Sequence, residues 1–177
     1  NARYDMPVCI DPLADRAIRQ RKNNGSYSRV KNHRPIPESI GSIQVASFNT
    51  SHAVWGGNPM GFVLSNNGAK VGIVTDTGTL TRSATQMLKG ANVLVAEANY
   101  DKQMISTKLR DPQFAFDWRY LKWVDSDHGH LSNDQCADLL AELTTENTKD
   151  IFLAHISSNH NQARKDNNNF EIARDTI

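Results

Sequence analysis

Polar and apolar side chains alternate along several short segments of the chain, and this period of two residues predicts β-strands. Ser42–Phe48 shows the alternation over most of its length. Gly61–Leu64 and Lys70–Thr75 are two further apolar segments, and Asn67-Gly68 lies between them. Because Asn-Gly is a strong signal for a hairpin turn, we expect these two strands to pair with each other.

Apolar residues that recur three and four positions apart predict helices in the rest of the chain. Two nearly continuous apolar segments, Asn92–Ala98 and Asp150–His155, predict two more strands. Strands and helices therefore alternate after an early hairpin, which favours one layered α/β domain over residues 1–177. The predicted helices are Leu13–Arg21, Thr79–Leu88, Asp101–Lys108, Gln113–Trp123 and Ser132–Leu143.

The composition is that of a globular domain, with 38% hydrophobic and 22% charged residues among 177. No apolar segment is long enough to cross a membrane, so we expect no membrane partner. Asn1–Ile10 lacks the pattern of a signal peptide. Cys9 and Cys136 form neither a metal motif nor a disulfide framework, so a cytoplasmic protein is predicted. The sequence leaves the oligomeric state open.

The basic residues are unevenly distributed, although the formal net charge is only +1. The segment from Arg16 to Pro37 has seven basic residues and no acidic one, so it can contact phosphates of a nucleic acid through charge alone. The alternative is a solvated loop or an exposed helix face. The seven residues are Arg16, Arg19, Arg21, Lys22, Arg29, Lys31 and Arg34.

Three candidate metal ligands follow predicted strands. His52 follows Ser42–Phe48, Asp76 ends Lys70–Thr75, and His155 ends the last strand. Strand ends gather the functional groups of α/β folds, and imidazole and carboxylate suit zinc, manganese or iron. The alternatives are a loop histidine at 52, a helix cap at 76 and a hydrogen-bonded core histidine at 155.

Six motifs occur in an order that resembles the metallo-β-lactamase superfamily and, within it, the WalJ/YycJ-like exonucleases. The resemblance extends from about Tyr4 to Ala173. The motifs are Phe48-Asn49-Thr50-Ser51-His52, Pro59-Met60-Gly61-Phe62, Thr75-Asp76-Thr77-Gly78, Glu97-Ala98-Asn99-Tyr100-Asp101, Gly129-His130-Leu131-Ser132-Asn133 and Leu153-Ala154-His155-Ile156-Ser157.

The resemblance implies an αββα sandwich that holds two divalent metal ions, zinc or manganese, at one edge. In this interpretation His52 is the third histidine of the first metal site, Asp76 is the bridging aspartate, and His155 is the histidine of the second site. The implied function is hydrolysis of a phosphodiester bond, with DNA as the expected substrate, by a metal-activated water and with Asp76 in the catalytic centre.

Other residues near the motifs have two interpretations each. His130 either donates a proton near the scissile phosphate or shapes the start of the Ser132 helix. Glu97, Asn99 and Asp101 either orient the metal-bound histidines or fix a loop. Most of the aromatic residues are expected to be core or covering residues, and Trp55 is the candidate for base stacking.

Two features depart from the superfamily pattern. The element His-x-His-x-Asp-His, which relatives carry shortly before the segment that matches Arg3–Val8, does not occur in this sequence. We therefore expect either a fragment of a longer protein or a truncated product that lacks the full site. Ala53 stands where relatives usually have Asp after the histidine. Two alternative functions remain: a small-molecule hydrolase for a thioester, lactone or cyclic nucleotide, and an inactive binding or assembly module.

Overall fold

A six-stranded mixed sheet dominates the computed structural model, which describes residues 8–23, 33–53 and 56–161. A two-residue parallel pair, β1 (Val8–Cys9) with β2 (His33–Arg34), lies outside the main sheet. The strands of the main sheet are adjacent in chain order: β3 (Ser39–Ile40), β4 (Ile43–Asn49), β5 (Met60–Asn66), β6 (Ala69–Val74), β7 (Val93–Glu97) and β8 (Asp150–Ala154).

The sheet changes from antiparallel to parallel pairing at its centre. Strands β3 to β6 pair antiparallel, and β6, β7 and β8 pair parallel. Asn67 and Gly68 both have positive φ, as the predicted hairpin turn between β5 and β6 requires. Because β4 and β6 run in the same direction, the carboxyl ends of β4, β6, β7 and β8 all lie at one edge of the sheet.

The α-helices within the described residues are α1 (Pro12–Asn23), α2 (Arg82–Leu88), α3 (Lys102–Arg110), α4 (Trp118–Val124) and α5 (Asn133–Leu143). Leu88 of α2 and Leu140 and Leu143 of α5 form one core with Leu94 and Ala96 of β7. Ser132 caps α5 through the predicted capping box with Gln135. These contacts make a helix layer on one face of the sheet.

The opposite face of the sheet also carries apolar side chains. The strand register puts Phe62, Ile73, Val95 and Phe152 side by side on that face. Phe152 is 57% exposed among the described residues. The described residues thus supply one sheet and one helix layer of the expected αββα sandwich, and the apolar second face is what a sheet buried on both sides predicts.

Two helix predictions need correction. The predicted helix Gln113–Trp123 is a 3₁₀ turn over Pro112–Asp117 followed by α4, because Pro112 lacks an N–H group and Asp111 caps the turn at Gln113. The helix expected from Thr79 begins at Arg82, because the Thr81 side chain accepts from the N–H group of Ala84.

Candidate metal centre

The three predicted ligands meet at the edge of the sheet where β4, β6 and β8 end. Asp76 comes shortly after β6, and His155 follows β8 directly. Both have left-handed backbones, with φ of 54° and 52°. Non-glycine residues with positive φ are uncommon and cluster at functional sites, and Asp and His tolerate that conformation better than most residues do.

Asp76 lies between the two imidazoles. Its Oδ1 atom is 3.8 Å from Nε2 of His52 and 3.6 Å from Nε2 of His155. The helix-cap alternative for Asp76 is wrong, because Thr81 occupies the cap position of α2. His155 is 41% exposed, so it is not the core histidine of the second alternative.

Hydrogen bonds that Nδ1 donates turn the Nε2 atoms of His52 and His155 toward Asp76. Nδ1 of His52 donates to the carbonyl oxygen of Gly129 at 2.7 Å. Nδ1 of His155 lies 2.8 Å from Oε1 of Glu97. Metal-binding histidines usually have their second ring nitrogen held by a carbonyl or a carboxylate, so both rings have the arrangement of ligands.

Glu97 is a fully buried carboxylate that contacts two imidazoles with one oxygen. Oε1 lies 2.5 Å from Nδ1 of His130 and 2.8 Å from Nδ1 of His155, while Oε2 accepts from the N–H group of Thr77. Burial alone would raise the pKa of Glu97, but the hydrogen bonds from His130, His155 and Thr77 outweigh it and lower the pKa. Glu97 is therefore ionised near neutral pH and accepts from both rings.

The same contact raises the pKa of His155. The hydrogen bond that His155 donates to Glu97 is the largest cause, burial opposes it, and the charge of Asp76 adds to it. A histidine paired with a carboxylate is a more basic ligand, since the carboxylate offsets the charge that the ring shares with a cation. The hydrogen bond between Glu97 and His155 thus supports the predicted orienting role of Glu97.

His130 lies within the site rather than only at the start of α5. Its ring is 4.6 Å from that of His52 and 5.0 Å from that of His155, measured between centroids. One ring nitrogen of His130 and the ligand atoms of His52 and Asp76 lie within 4.8 Å of one another. His130 is 8% exposed, so its side chain is largely buried beside the other two histidines.

Asn99 and Asp101, which were also predicted to orient the histidines, have different contacts: Asn99 contacts His155, and Asp101 caps a helix. Asn99 donates from Nδ2 to the carbonyl oxygen of His155 at 2.7 Å, so it holds the left-handed backbone of that residue. Asp101 caps α3 at Met104, and the described contacts of its carboxylate include no histidine. Its position at a helix start explains this role, which is the loop-fixing alternative.

Sequence reasoning missed Trp123 and Gly129 as parts of the site. The ring of Trp123 packs edge-on against His52 and His130, with centroid distances of 5.1 Å and 5.4 Å. A side chain at Gly129 would overlap the carbonyl oxygens of Trp123 and Val124. No local sequence pattern marks either residue. Both belong to the site because they contact His52, which lies in the loop after β4 and is distant along the chain.

The glycine-rich loop after His52 packs on α1. A Cβ atom at Gly56 would come within 2.5 Å of Cβ of Ala17, and Asp11 accepts from the N–H group of Asn58. Among the basic candidates, Arg16 and Arg34 are exposed, and Arg19 is paired with Asp15 at 2.8 Å. Arg21 and Lys22 lie in α1, with side chains beyond the described part; Arg29, Lys31 and Trp55 lie outside the described residues.

A mixed α/β fold with histidine and carboxylate ligands at the ends of its strands is typical of metal-dependent hydrolases. The family profile described as a β-lactamase superfamily domain matches residues 8–156. The chain belongs to the metallo-β-lactamase superfamily. The metallo-β-lactamase fold protein YhfI from Bacillus subtilis has the same fold, with a TM-score of 0.54 and 14% identity over 85% of this chain and 52% of that one.

Two relatives carry the name exodeoxyribonuclease. Exodeoxyribonuclease YycJ of Bacillus anthracis is 34% identical over 140 residues, which are 79% of this chain and 47% of that protein. Exodeoxyribonuclease WalJ of Streptococcus pneumoniae is 29% identical over 178 residues, which are 99% of this chain and 61% of that protein. The chain thus spans about half the length of the relatives it matches. Among the described residues, no helix has the length and hydropathy to cross a membrane.

Proposed function

We propose that this chain carries part of the metal site of a hydrolase that cleaves phosphodiester bonds in DNA. The observation that carries the proposal is the position of Asp76, whose Oδ1 atom lies within 4 Å of Nε2 of His52 and of His155. Two ligands that each lie about 2.1 Å from one ion can be at most about 4.2 Å apart. Both distances satisfy this limit, so each histidine can share a cation with Asp76.

The donor atoms suit a divalent metal ion. Two imidazole nitrogens and a carboxylate oxygen are ligands for zinc or manganese, and a carboxylate between two such ions can contact both. His52 and Asp76 would hold one ion, and Asp76 and His155 the other. When bound, the ions would activate a water molecule and offset negative charge on the phosphoryl oxygens.

The residues of the chain supply orientation and a proton. Glu97 and the Gly129 carbonyl keep Nδ1 protonated on His155 and His52, so the Nε2 lone pairs of these rings face the site. His130 donates Nδ1–H to Glu97. In its imidazolium form it would transfer the Nε2 proton to the leaving oxygen and become a neutral ring that still carries Nδ1–H. Trp123 excludes water from one side of His52 and His130.

The substrate assignment is supported by the two exodeoxyribonucleases to which the chain is similar. Exposed Arg16 and Arg34 would add phosphate contacts that are independent of base sequence. In this proposal nucleic acid is the partner, and cleavage proceeds from a strand end.

The test is cleavage of end-labelled linear DNA by the intact protein with Mn²⁺ or Zn²⁺. Asp76→Ala is expected to lose at least about 1,000-fold in rate, because both ions lose a shared ligand. Asp150→Ala is the matched control, since Asp150 is exposed and lies at the other end of β8 from His155. It is expected to cleave at the wild-type rate.

Covalently closed circular DNA separates the two modes of cleavage. Resistance of the circle together with loss of single nucleotides from the linear strand supports an exonuclease. Full activity of Asp76→Ala would refute the role of the carboxylate. Hydrolysis of a thioester or lactone without cleavage of DNA would instead support a small-molecule hydrolase.

A further inference from the structure

A cavity of about 350 Å³ opens beside the candidate metal centre, between α3 and α4. Its walls combine aromatic rings with polar groups: Lys108, Phe114, Asp117, Tyr120, Asn159 and His160. Nothing in the metal centre uses these side chains. The volume is in the lower part of the range for small-molecule sites, which suits a single nucleobase with its sugar.

One aromatic ring separates this cavity from the metal centre. The ring of Trp123 contacts that of His52 at 5.1 Å and that of Tyr120 at 5.9 Å, measured between centroids. The ring of Tyr120 in turn lies 6.1 Å from that of His160 in the cavity wall. This proximity would allow a strand with a phosphate at the metal centre to place a neighbouring nucleotide in the cavity.

Tyr120 has the exposure that a stacking surface needs. It is 52% exposed among the described residues, although it belongs to a helix that packs its Leu121 and Val124 side chains in the core. Tyr120 and Trp118 are exceptions to the expectation that most of the aromatic residues are core or covering residues, since both are at least half exposed. An exposed ring beside a cation is the usual platform for an unpaired base.

The polar groups of the cavity suit a base better than a phosphate. Nζ of Lys108 donates to Nδ1 of His160 at 3.1 Å and to the Asn159 carbonyl at 2.7 Å, which leaves Nε2–H of His160 as a donor. Burial, followed by the charge of Lys108, lowers the pKa of His160, so the ring is neutral at pH 7. The carboxylate of Asp117 would repel a phosphate but accept from an exocyclic amino group.

We propose that the cavity is a nucleobase subsite, in which one unpaired base of the substrate strand stacks on Tyr120 beside Lys108, Asp117 and His160. This inference rests on the proposed nuclease function and specifies how the strand is held. It assigns recognition of a single-stranded end to Tyr120 of α4 and to Phe114 and Asp117 of the preceding 3₁₀ turn. The basic segment around α1 would then add only contacts that follow the backbone.

The experiment measures binding to short single-stranded oligonucleotides that carry one abasic nucleotide at successive positions from the end. The intact protein with Asp76→Ala is used, so that cleavage does not interfere. Binding is expected to weaken about tenfold or more when the abasic nucleotide occupies one particular position. Adding Tyr120→Ala should weaken binding of the normal oligonucleotide by a similar factor and remove the effect of that position.

Tyr120→Phe and Phe116→Ala are the matched variants. The first keeps the stacking ring and should retain the effect of the abasic position. The second removes a fully exposed ring that does not line the cavity, and should leave affinity unchanged. Thermal unfolding checks that Tyr120→Ala is folded.

Two failures are distinguishable. Binding that is equally weakened at every abasic position, or a positional effect that persists in Tyr120→Ala, would overturn the subsite while leaving the nuclease proposal standing. Absence of any binding to nucleic acid would overturn both. The same abasic series is also made with RNA oligonucleotides. If the cavity recognises only the base, the positional effect should be the same in DNA and RNA.

Discussion

Asp76 and His155 follow different strands, yet Nε2 of His155 is 3.6 Å from Oδ1 of Asp76 and both residues have φ above 50°. Left-handed backbone at two non-glycine residues that face each other is unusual, because each position has a conformational cost. The chain therefore accepts backbone strain at the two points where β6 and β8 deliver these side chains to the site.

Asp76→Asn and Asp76→Val test whether the backbone conformation or the charge at this position determines the free energy of unfolding. Asparagine tolerates left-handed φ as aspartate does, so the free energy of unfolding in EDTA should change by less than about 0.5 kcal/mol. Asp76→Val should cost about 1–2 kcal/mol, because a β-branched side chain is strained there. Chemical denaturation of the metal-free intact protein measures both. An equal loss in the two variants would contradict the role given to the backbone.

Glu97→Gln should lower metal affinity while the protein remains folded. An amide cannot accept from both His130 and His155 and still accept from Thr77, so at least one ring loses its fixed orientation. We expect a 10- to 100-fold weaker affinity for Zn²⁺ by competition with a chelating dye. The free energy of unfolding should also be about 1–3 kcal/mol lower than that of the wild type.

The control for this variant is Glu142→Gln, which makes the same chemical change on the exposed side of α5. It should bind Zn²⁺ as the wild type does. Weakened binding in both variants would point to net charge rather than to the contacts of Glu97.

The strand and helix pattern was predictable wherever the signal is local. Asn67-Gly68 predicted the β5–β6 hairpin, and Ser132 with Gln135 predicted the start of α5, because turns and caps depend on neighbouring residues. The pattern predicts one helix over Gln113–Trp123, because its apolar spacing fits either helix type. The Asp111 cap makes the first part, Pro112–Asp117, a 3₁₀ turn.

The candidate site was only partly predictable. Strand-end position and family resemblance selected His52, Asp76 and His155, and the structure brings their side chains together. The sequence could not show that one oxygen of Glu97 contacts both His130 and His155, because that depends on the packing of β7 against β8 and the loop before α5. For the same reason, Asp101 could not be recognised in advance as a cap of α3 rather than a partner of the site.

Gly129→Ala should disturb His52 as well as the fold. The added Cβ would overlap the carbonyl oxygens of Trp123 and Val124, and the Gly129 carbonyl that accepts from His52 would have to move. We expect a loss of about 2–3 kcal/mol in the free energy of unfolding, together with weaker metal binding. Gly41→Ala, whose position is open but left-handed, should cost about 1 kcal/mol and leave metal binding intact. Equal effects on metal binding would contradict the role of the Gly129 carbonyl.

Cys136 should be unreactive in the folded protein. Burial raises its pKa to about 12, whereas Cys9 is exposed and serves as the internal control. At pH 8 a thiol reagent should modify Cys9 quickly and Cys136 only after denaturant is added. Because the folded pKa is raised, the contribution of this group to stability is complete below about pH 8.5 and is lost as pH rises toward 12. Rapid modification of Cys136 without denaturant would contradict its burial.

If His52, Asp76 and His155 hold cations together, Mn²⁺ binding to the intact protein should depend on all three side chains. Isothermal titration should be made with the wild type, the three single alanine variants and Asp150→Ala. Each of the three variants is expected to lose at least about tenfold in affinity or one bound ion, while Asp150→Ala binds as the wild type does. Unchanged affinity and stoichiometry in Asp76→Ala would show that its carboxylate does not hold the ions.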